Sequence, residues 1–207
     1  MAYGFLDIAV TPSVHAVQEE LGVSHLWEDF PGHRAFDRFT PNETAFIGAR
    51  DSFYMATVSE TGWPYVQHRG GAPGFVKVLD DTTLAFADYR GNRQYISLGN
   101  LRAGDRVALI LVDYPHRARL KIYGHMEVVP LDADPDLAAQ VIDPASKARP
   151  ERILKLKLEA FDWNCPQHIT PRFTEAEIAR AVQPLQARLA ELEQENAALR
   201  EKLAARG

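Results

Sequence analysis

Residues 61–101 read TGWPYVQHRGGAPGFVKVLDDTTLAFADYRGNRQYISLGNL. Three short runs rich in aromatic and β-branched residues occur here, at 63–69, 75–79 and 83–88. Glycine, proline and aspartate separate these runs, and this pattern predicts three β-strands joined by turns. A helix-like segment that closes near Gly99 follows the third run.

The junction between the third strand and that helix contains Gly91, Asn92, Arg93 and Gln94. A cation and free backbone N–H groups at the start of a helix favour a bound anion. The aromatic and aliphatic residues nearby could hold a flat ring. The stretch therefore predicts an apolar slot with a phosphate anchor at one end, as a bound nucleotide requires.

Three further β-like runs lie at 53–59, 107–113 and 119–129, and helix-length segments scarcely interrupt the series. Short strands in this arrangement favour an antiparallel barrel over alternating βα units. The run 106–112 is almost continuously apolar, which predicts a central strand buried on both faces. An alternating run at 151–161 predicts a late strand, although its tail is also compatible with a helix.

These features together resemble the flavin-binding core of the pyridoxamine 5′-phosphate oxidase-like proteins, the FMN-binding split barrels. The resemblance rests on Lys77, on the strand that ends at 85–88, and on Asn-Arg-Gln at 92–94, where the family often has Ser-Arg-Lys. It extends over about residues 43–129, and FDWNCPQHI at 161–169 is similar to the tail of one branch of the family. The fold that it implies is mainly β with peripheral helices. Its centre would be a six-stranded antiparallel split β-barrel, and a C-terminal coiled-coil helix follows.

The same resemblance implies FMN as the cofactor, bound at the subunit interface of a homodimer. Arg93 is the strongest candidate for a phosphate ligand, and the alternative is a solvated arginine in a turn. Lys77 lies opposite Val76 and Val78 by strand alternation, so it is either an outward lysine or a second ligand contact. A loop at 163–169 would close over the flavin. The predicted cofactor-binding residues are Phe75, Val76, Lys77, Ala87, Asp88, Asn92, Arg93, Gln94, Arg119, Trp163 and Gln167.

The sequence departs from genuine pyridoxamine 5′-phosphate oxidases in two places. Ala72 stands where those enzymes usually carry an arginine, and their C-terminal arginine–histidine motif has no match, so vitamin B6 oxidation is not expected. No convincing general acid or base is evident, which suits direct hydride transfer to a flavin. The predicted function is an FMN-dependent oxidoreductase acting on an unidentified small molecule. The alternatives are a non-catalytic carrier or sensor holding flavin, deazaflavin or heme, and a zipper-mediated interaction protein.

Composition argues against several other classes of protein. The net charge of −5 disfavours a general nucleic-acid binder. No apolar run approaches the roughly 18 residues of a membrane span, and the first residues lack the features of a signal peptide, so a cytoplasmic protein is expected. The seven histidines show no zinc-site spacing. Cys165 with His168 lacks a third, orienting group, which argues against a thiol nucleophile.

Three regions are predicted along the chain: an N-terminal helix and aromatic arm at 1–42, the flavin-binding domain at 43–173, and a C-terminal helix at 174–207. Shorter helices are predicted at 11–21 and 137–142, and the aromatic arm occupies 27–39.

Two helices begin with a capping box, at 40–43 and at 174–177, and Pro184 is expected to interrupt the second of them. Beyond Pro184 the core-type positions recur at alternating intervals of four and three residues, which is the coiled-coil pattern. Leucine at d positions with a lone asparagine, Asn196, at an a position favours a parallel two-stranded coil. The positions in this pattern are Leu185, Leu189, Leu192, Asn196, Leu199 and Leu203.

Overall fold

The structure is a computed structural model that describes residues 4–28 and 36–206. Most of the predicted aromatic arm, residues 29–35, lies outside the described part of the chain. The described residues form two compact units. One comprises the described parts of Met1–Asp113 together with Ala118–Gln167, and the other comprises Tyr114–Arg117 with His168–Gly207.

The first unit is built on one antiparallel sheet of seven strands in the order β2-β1-β5-β6-β7-β4-β3. The prediction of six barrel strands was therefore wrong by one. The additional strand is the run expected only as a late strand, and it lies inside the sheet between β6 and β4. The strands are β1 Ser52–Val58, β2 Pro64–Gly70, β3 Lys77–Asp80, β4 Thr83–Tyr89, β5 Arg106–Asp113, β6 Ala118–Val129 and β7 Pro150–Asn164.

Seven helices accompany the sheet in the described residues, which makes the architecture mixed α/β rather than mainly β. Those predicted at 11–21, 137–142 and from each capping box are confirmed. The helices are α1 Phe5–Ala9, α2 Pro12–Glu20, α3 His25–Glu28, α4 Pro41–Gly48, α5 Ile96–Ala103, α6 Pro135–Val141 and α7 Glu175–Ala204.

Two predictions about the extent of helices were wrong, one on where α5 ends and one on a break inside α7. The helix after the third predicted strand does not close near Gly99 but continues to Ala103. Its last turns are held by tertiary contacts, because Asn100 and Leu101 are buried and the Asn100 side-chain amide donates to the Thr57 hydroxyl at 2.9 Å. Likewise α7 runs through Pro184 without a break, since one missing N–H removes a single hydrogen bond from a long helix.

Strand β7 joins the two halves of the sheet through a β-bulge. Its register with β6 shifts between Tyr123 and Gly124. A Cβ at Gly124 would lie 2.5 Å from the Lys157 carbonyl oxygen, so only glycine permits this close approach of the two backbones. The bulge adds local twist, which curves the sheet around its core.

The core lies on the concave side of the sheet, where Phe53, Phe86 and Phe161 are almost fully buried. Strand β5 contributes Val107, Leu109 and Leu111 to the buried side, but its alternate residues remain partly exposed. The prediction that this strand is buried on both faces was therefore wrong. A partly solvated sheet face carrying apolar residues is left on the outside.

Helix α4 is attached to this core by a buried carboxylate. Glu43 accepts hydrogen bonds from the Thr40 backbone N–H at 2.9 Å and from the Trp163 indole N–H at 2.7 Å. Trp163 also packs edge-on against Phe46. The first turn of α4 is thus tied to the end of β7.

Within residues 4–28 and 36–206, none of the helices has both the length and the apolar character needed to cross a membrane. In the same part of the chain, no group of three His, Cys, Asp or Glu side chains is placed to hold a metal ion.

Candidate functional site

A cleft of about 240 Å³ opens where the ends of β2 and β4 approach the start of α5. Strand β2 presents alternate polar side chains to it, as the two-residue period of a strand dictates. The loop between β4 and α5 and one residue of β7 complete the walls. The lining residues are Tyr65, Gln67, Arg69, Asp88, Tyr89, Gly91, Asn92, Arg93, Gln94, Tyr95, Ile96, Ser97, Leu98 and Arg152.

Asp88 is the centre of the charged wall. It is buried and forms ion pairs with both Arg69 and Arg152, the latter with an N–O distance of 2.6 Å. The register of β4 with β7 places Asp88 directly opposite Arg152. Arg69 Nε is buried and has no hydrogen-bond partner among the described residues, so this N–H is unsatisfied beside the cleft.

The loop that leads into α5 is held in an unusual backbone conformation. Arg93 and Tyr95 both have positive φ angles, 65° and 53°, in a region that non-glycine residues rarely adopt and that occurs preferentially at functional sites. The Asn92 side-chain oxygen accepts from the Gln94 backbone N–H at 3.1 Å, which fixes the turn. The side chain of Arg93 is exposed above the cleft.

Helix α5 begins at this loop without a side-chain cap. Tyr95 occupies the N-cap position and its side chain forms no capping hydrogen bond. The N–H groups of the first helical turn have no acceptor within the helix, and Ile96, Ser97 and Leu98 all line the cleft. The strand-to-helix junction therefore has the features of an anion site that the sequence predicted.

Glu151 links three side chains at the rim of the cleft through hydrogen bonds. It accepts hydrogen bonds from Arg90 Nε at 2.7 Å, from the Tyr95 hydroxyl at 3.2 Å and from Arg152 Nη2 at 2.9 Å. The hydrogen bond from Arg90 is the main reason that the pKa of Glu151 lies below its ordinary value. An ionised Glu151 thus offsets Arg90 and helps to orient Arg152.

The lining residues carry three guanidinium groups and one carboxylate, a surplus of two positive charges. A phosphate monoester carries a charge of about −1.5 to −2 at neutral pH. Two of the guanidinium groups are already oriented by Asp88, whereas Arg93 can move to meet a ligand. Charge and donor geometry therefore match a terminal phosphate group.

The structure brings four of the predicted site residues together in this cleft: Asp88, Asn92, Arg93 and Gln94. Two others, Val76 and Lys77, line a separate cavity of about 400 Å³ beside α4. Phe75 stacks on Phe53 with ring centroids 5.7 Å apart. Ala87 is buried in a small apolar cluster with residues of α6.

The remaining predicted residues, Arg119, Trp163 and Gln167, do not line the cleft within one chain. Arg119 donates to the Cys165 carbonyl at 3.3 Å, and its Nε is buried without a partner among the described residues. Trp163 is engaged with Glu43 and Phe46, and Gln167 is exposed.

Arg69 and Arg152 were not predicted from the sequence. A signal for Arg69 was present, because Tyr65, Gln67 and Arg69 alternate along β2 and so share one face. No comparable signal marks Arg152, whose position depends on its pairing opposite Asp88 across two strands remote in sequence.

Residues 39–163, more than half of the chain, match the family described as pyridoxamine 5′-phosphate oxidase. The chain belongs to this family. The matched range contains all of the cleft and all seven strands except the last residue of β7. Pyridoxamine 5′-phosphate oxidase-like proteins form the split-barrel group expected above.

Among solved structures, the chain is similar to a candidate pyridoxamine 5′-phosphate oxidase from Lactobacillus delbrueckii, with 23% identity, a TM-score of 0.47, and coverage of 61% of this chain and 94% of the other. HupZ of group A Streptococcus shows 15% identity and a TM-score of 0.47 over 65% of this chain and 99% of its own. HutZ, the heme storage protein from Vibrio cholerae, shows 19% identity and a TM-score of 0.44 over 60% and 94%. A search of curated proteins found no match. At these identities and TM-scores, the similarities assign no function to this member of the family.

Proposed function

We propose that this protein binds FMN with its phosphate in the cleft at the start of α5, and that it acts as an FMN-dependent oxidoreductase on a small molecule. The observation that carries the proposal is the free Nε of Arg69. It is a buried, charged donor that has no acceptor in the described part of the chain, and the cleft beside it has a surplus of two positive charges.

A buried guanidinium N–H without an acceptor is costly, because desolvation of the group is not offset by a hydrogen bond. A phosphate oxygen would supply that acceptor. Arg93, from the opposite rim, and the first backbone N–H groups of α5 would supply further charge-assisted donors. This set of donors fits a dianionic phosphate better than it fits a neutral ligand.

Two alternatives, heme and riboflavin, fit the cleft less well. The lining residues include no histidine, cysteine or methionine, so tyrosine is the one type of heme-iron ligand present among them. Riboflavin would leave the arginine cluster without a counter-charge. A deazaflavin that carries phosphate shares the same anchor, and its spectrum distinguishes it from FMN.

Bound FMN would supply the electron chemistry, and the chain would supply binding, orientation and electrostatics. The side chains of Tyr65 and Ile96 lie on the apolar part of the cleft wall, next to the charged residues. The arginines, Asp88 and the α5 amides would hold the phosphate end and so determine how deeply the cofactor enters.

We further propose that a second copy of the chain completes the site. A cleft of about 240 Å³ is smaller than the roughly 300–1,000 Å³ of most small-molecule sites. On the face of β2 opposite to the cleft residues, strands β1, β2 and β5 expose an outer apolar face, here defined as Tyr54, Ala56, Val58, Val66 and Ile110, whose strand registers place them on one side of the sheet. Val66 is 61% exposed and Val58 54%. Neighbouring exposed apolar residues of this kind are typical of a protein interface.

The single cysteine, Cys165, is exposed. A free, solvent-exposed thiol is compatible with a reducing compartment, so we propose a cytoplasmic location.

The test is a titration of FMN and of riboflavin against wild-type protein and Arg93→Ala. A hydrogen bond between charged groups contributes about 1.5–3 kcal/mol, so Arg93→Ala is expected to weaken FMN binding by roughly ten- to a hundredfold. Riboflavin affinity is expected to stay unchanged. The control is Arg102→Ala, which removes an exposed arginine in the last turn of α5 that does not line the cleft.

Equal losses for both ligands would assign Arg93 a structural role, and no loss for either would place the phosphate elsewhere. The oxidoreductase part is tested separately by adding NADH or NADPH to the flavin-loaded protein. Bleaching of the flavin absorbance is expected, and flavin that resists every donor would favour a carrier.

A further inference from the structure

Helix α7 carries a continuous apolar stripe that nothing covers within the described residues. Its apolar members are 36–70% exposed, although they are the type of residue that normally packs in a core. They follow one another at intervals of three and four residues, the spacing that places side chains on one face of a helix. The stripe consists of Ile178, Val182, Leu185, Leu189, Leu192, Leu199 and Leu203. Asn196 lies on the same face, between Leu192 and Leu199.

The stripe is longer than the sequence indicated, because α7 is unbroken at Pro184. In the heptad that places Leu185 at d, Pro184 falls at c, on the side of the helix away from the stripe. Ile178 then falls at d and Val182 at a, in phase with the leucines that follow. The stripe therefore spans roughly 38 Å at about 1.5 Å per residue, close to four heptads instead of three.

We propose that α7 pairs with α7 of a second copy as a parallel, in-register, two-stranded coiled coil along this stripe. The proposal concerns α7 alone and does not depend on flavin binding. The stripe spans 26 residues from Ile178 to Leu203, well above the roughly 12–15 residues below which isolated helices are marginal.

Asn196 argues for a second copy of the same chain in parallel register. An asparagine at an a position destabilises a coil when it faces a leucine, but it can hydrogen-bond to an asparagine at the same position of the partner. Only a parallel, in-register pair places the two copies of Asn196 opposite each other. The d positions on either side are Leu192 and Leu199, and leucine at d favours two strands.

The charges beside the stripe are self-complementary in the same register. Arg188 at g would face the partner's Glu193 at e, and Glu195 at g would face the partner's Arg200. In the described chain Arg188 instead pairs with Glu191 of its own helix at 2.9 Å, and both side chains are more than half exposed. Such an exposed ion pair contributes little energy, so Arg188 can exchange it for an ion pair with the second copy.

The test is disulfide cross-linking of the full chain in a Cys165→Ser background, which removes the single native thiol. Leu199→Cys places a thiol at a d position, where two copies of a parallel coil meet. Ala198→Cys, the matched control, places it on the adjacent outward c position. Circular dichroism checks that both variants remain folded. Under mild oxidation, Leu199→Cys is expected to link into covalent dimers at least tenfold faster than Ala198→Cys.

Equal rates for the two variants would overturn the proposal. So would an antiparallel result, in which chains carrying Leu185→Cys link to chains carrying Leu203→Cys while neither variant links to itself.

Discussion

Arg69 at the end of β2 forms an ion pair with Asp88 on β4, although four strands lie between β2 and β4 in the sheet. The pair therefore spans the open side of the curved sheet, where no backbone ladder joins the two strands. Arg152 on β7 shares the same carboxylate. The buried Asp88 thus bridges the open side of the sheet, and it holds two of the three arginines of the candidate site next to each other.

Replacing Asp88 is expected to separate these two roles. Asp88→Asn removes the counter-charge of Arg69 and one of the two carboxylate partners of Arg152, so the free energy of unfolding of the ligand-free protein should fall by about 3–5 kcal/mol. Added FMN should then raise the melting temperature more in Asp88→Asn than in wild type, because its phosphate replaces the missing negative charge. Thermal denaturation with and without FMN measures both effects.

The control for this experiment is Asp162→Asn, which breaks the more exposed ion pair with Lys121. Its cost should be below about 1 kcal/mol. Comparable losses in the two variants, or the same FMN-induced shift in Asp88→Asn as in wild type, would contradict the shared role of Asp88.

Glu43 should make the stability of the protein depend on pH. Burial alone would raise its pKa, but hydrogen bonds from the Thr40 hydroxyl, the Trp163 indole and the Thr40 backbone N–H together lower it below the ordinary value of 4.5. A carboxyl group with a lowered folded-state pKa stabilises the protein above its ordinary pKa, and that stabilisation is lost as the pH falls through the folded-state value. Glu43→Gln should cost about 1.5–3 kcal/mol at pH 7 and clearly less at pH 3.

Chemical denaturation at the two pH values measures this difference. Trp163→Phe keeps a ring against Phe46 but removes one donor to Glu43, so it should show a smaller effect in the same direction. Glu60→Gln, at an exposed turn residue, serves as the control. If Glu43→Gln is equally destabilised at both pH values, the ionised form of Glu43 does not stabilise the fold.

The outer apolar face is expected to form an interface between two barrels. Val66→Glu places a charge on this face and should convert barrel dimers to monomers, whereas Val17→Glu changes an equally accessible valine of α2, 51% exposed, without effect. Since α7 is proposed to pair independently, both variants are made in a Leu192→Glu background. Sedimentation equilibrium measures the mass, and a dimer that persists in Val66→Glu would place the interface elsewhere.

Asn196→Leu should strengthen the association of α7 but relax its specificity. A buried asparagine lowers the stability of a coil while it selects two strands in one register. The variant should therefore show a higher melting temperature of its helical signal and, at high concentration, species larger than those of wild type. Circular dichroism and light scattering report the two changes. A variant that is less stable than wild type would show that Asn196 does not lie in an apolar seam.

The sequence alone determined the parts of this protein that depend on local chemistry. The capping boxes at Thr40 and Thr174 began their helices as predicted, because a cap is satisfied within four residues. The candidate anion site at the start of α5 could be proposed from the sequence for the same reason, since Arg93 and the helix amides are neighbours in sequence. Lys77, the strand that ends at 85–88 and the motif at 92–94 together indicated the family.

Only the tertiary structure decided what depends on pairing across the sheet. The alternating run at 151–161 is compatible with an edge strand or a central one, and its place between β6 and β4 is decided by the long-range registers of both neighbours. Those registers set Arg152 opposite Asp88, and the curvature of the sheet then brings in Arg69. The two-residue alternation and the composition of a strand indicate on which face of that strand a side chain lies. They do not indicate which distant strand will pair with it, because strand pairing is decided by the packing of the whole core.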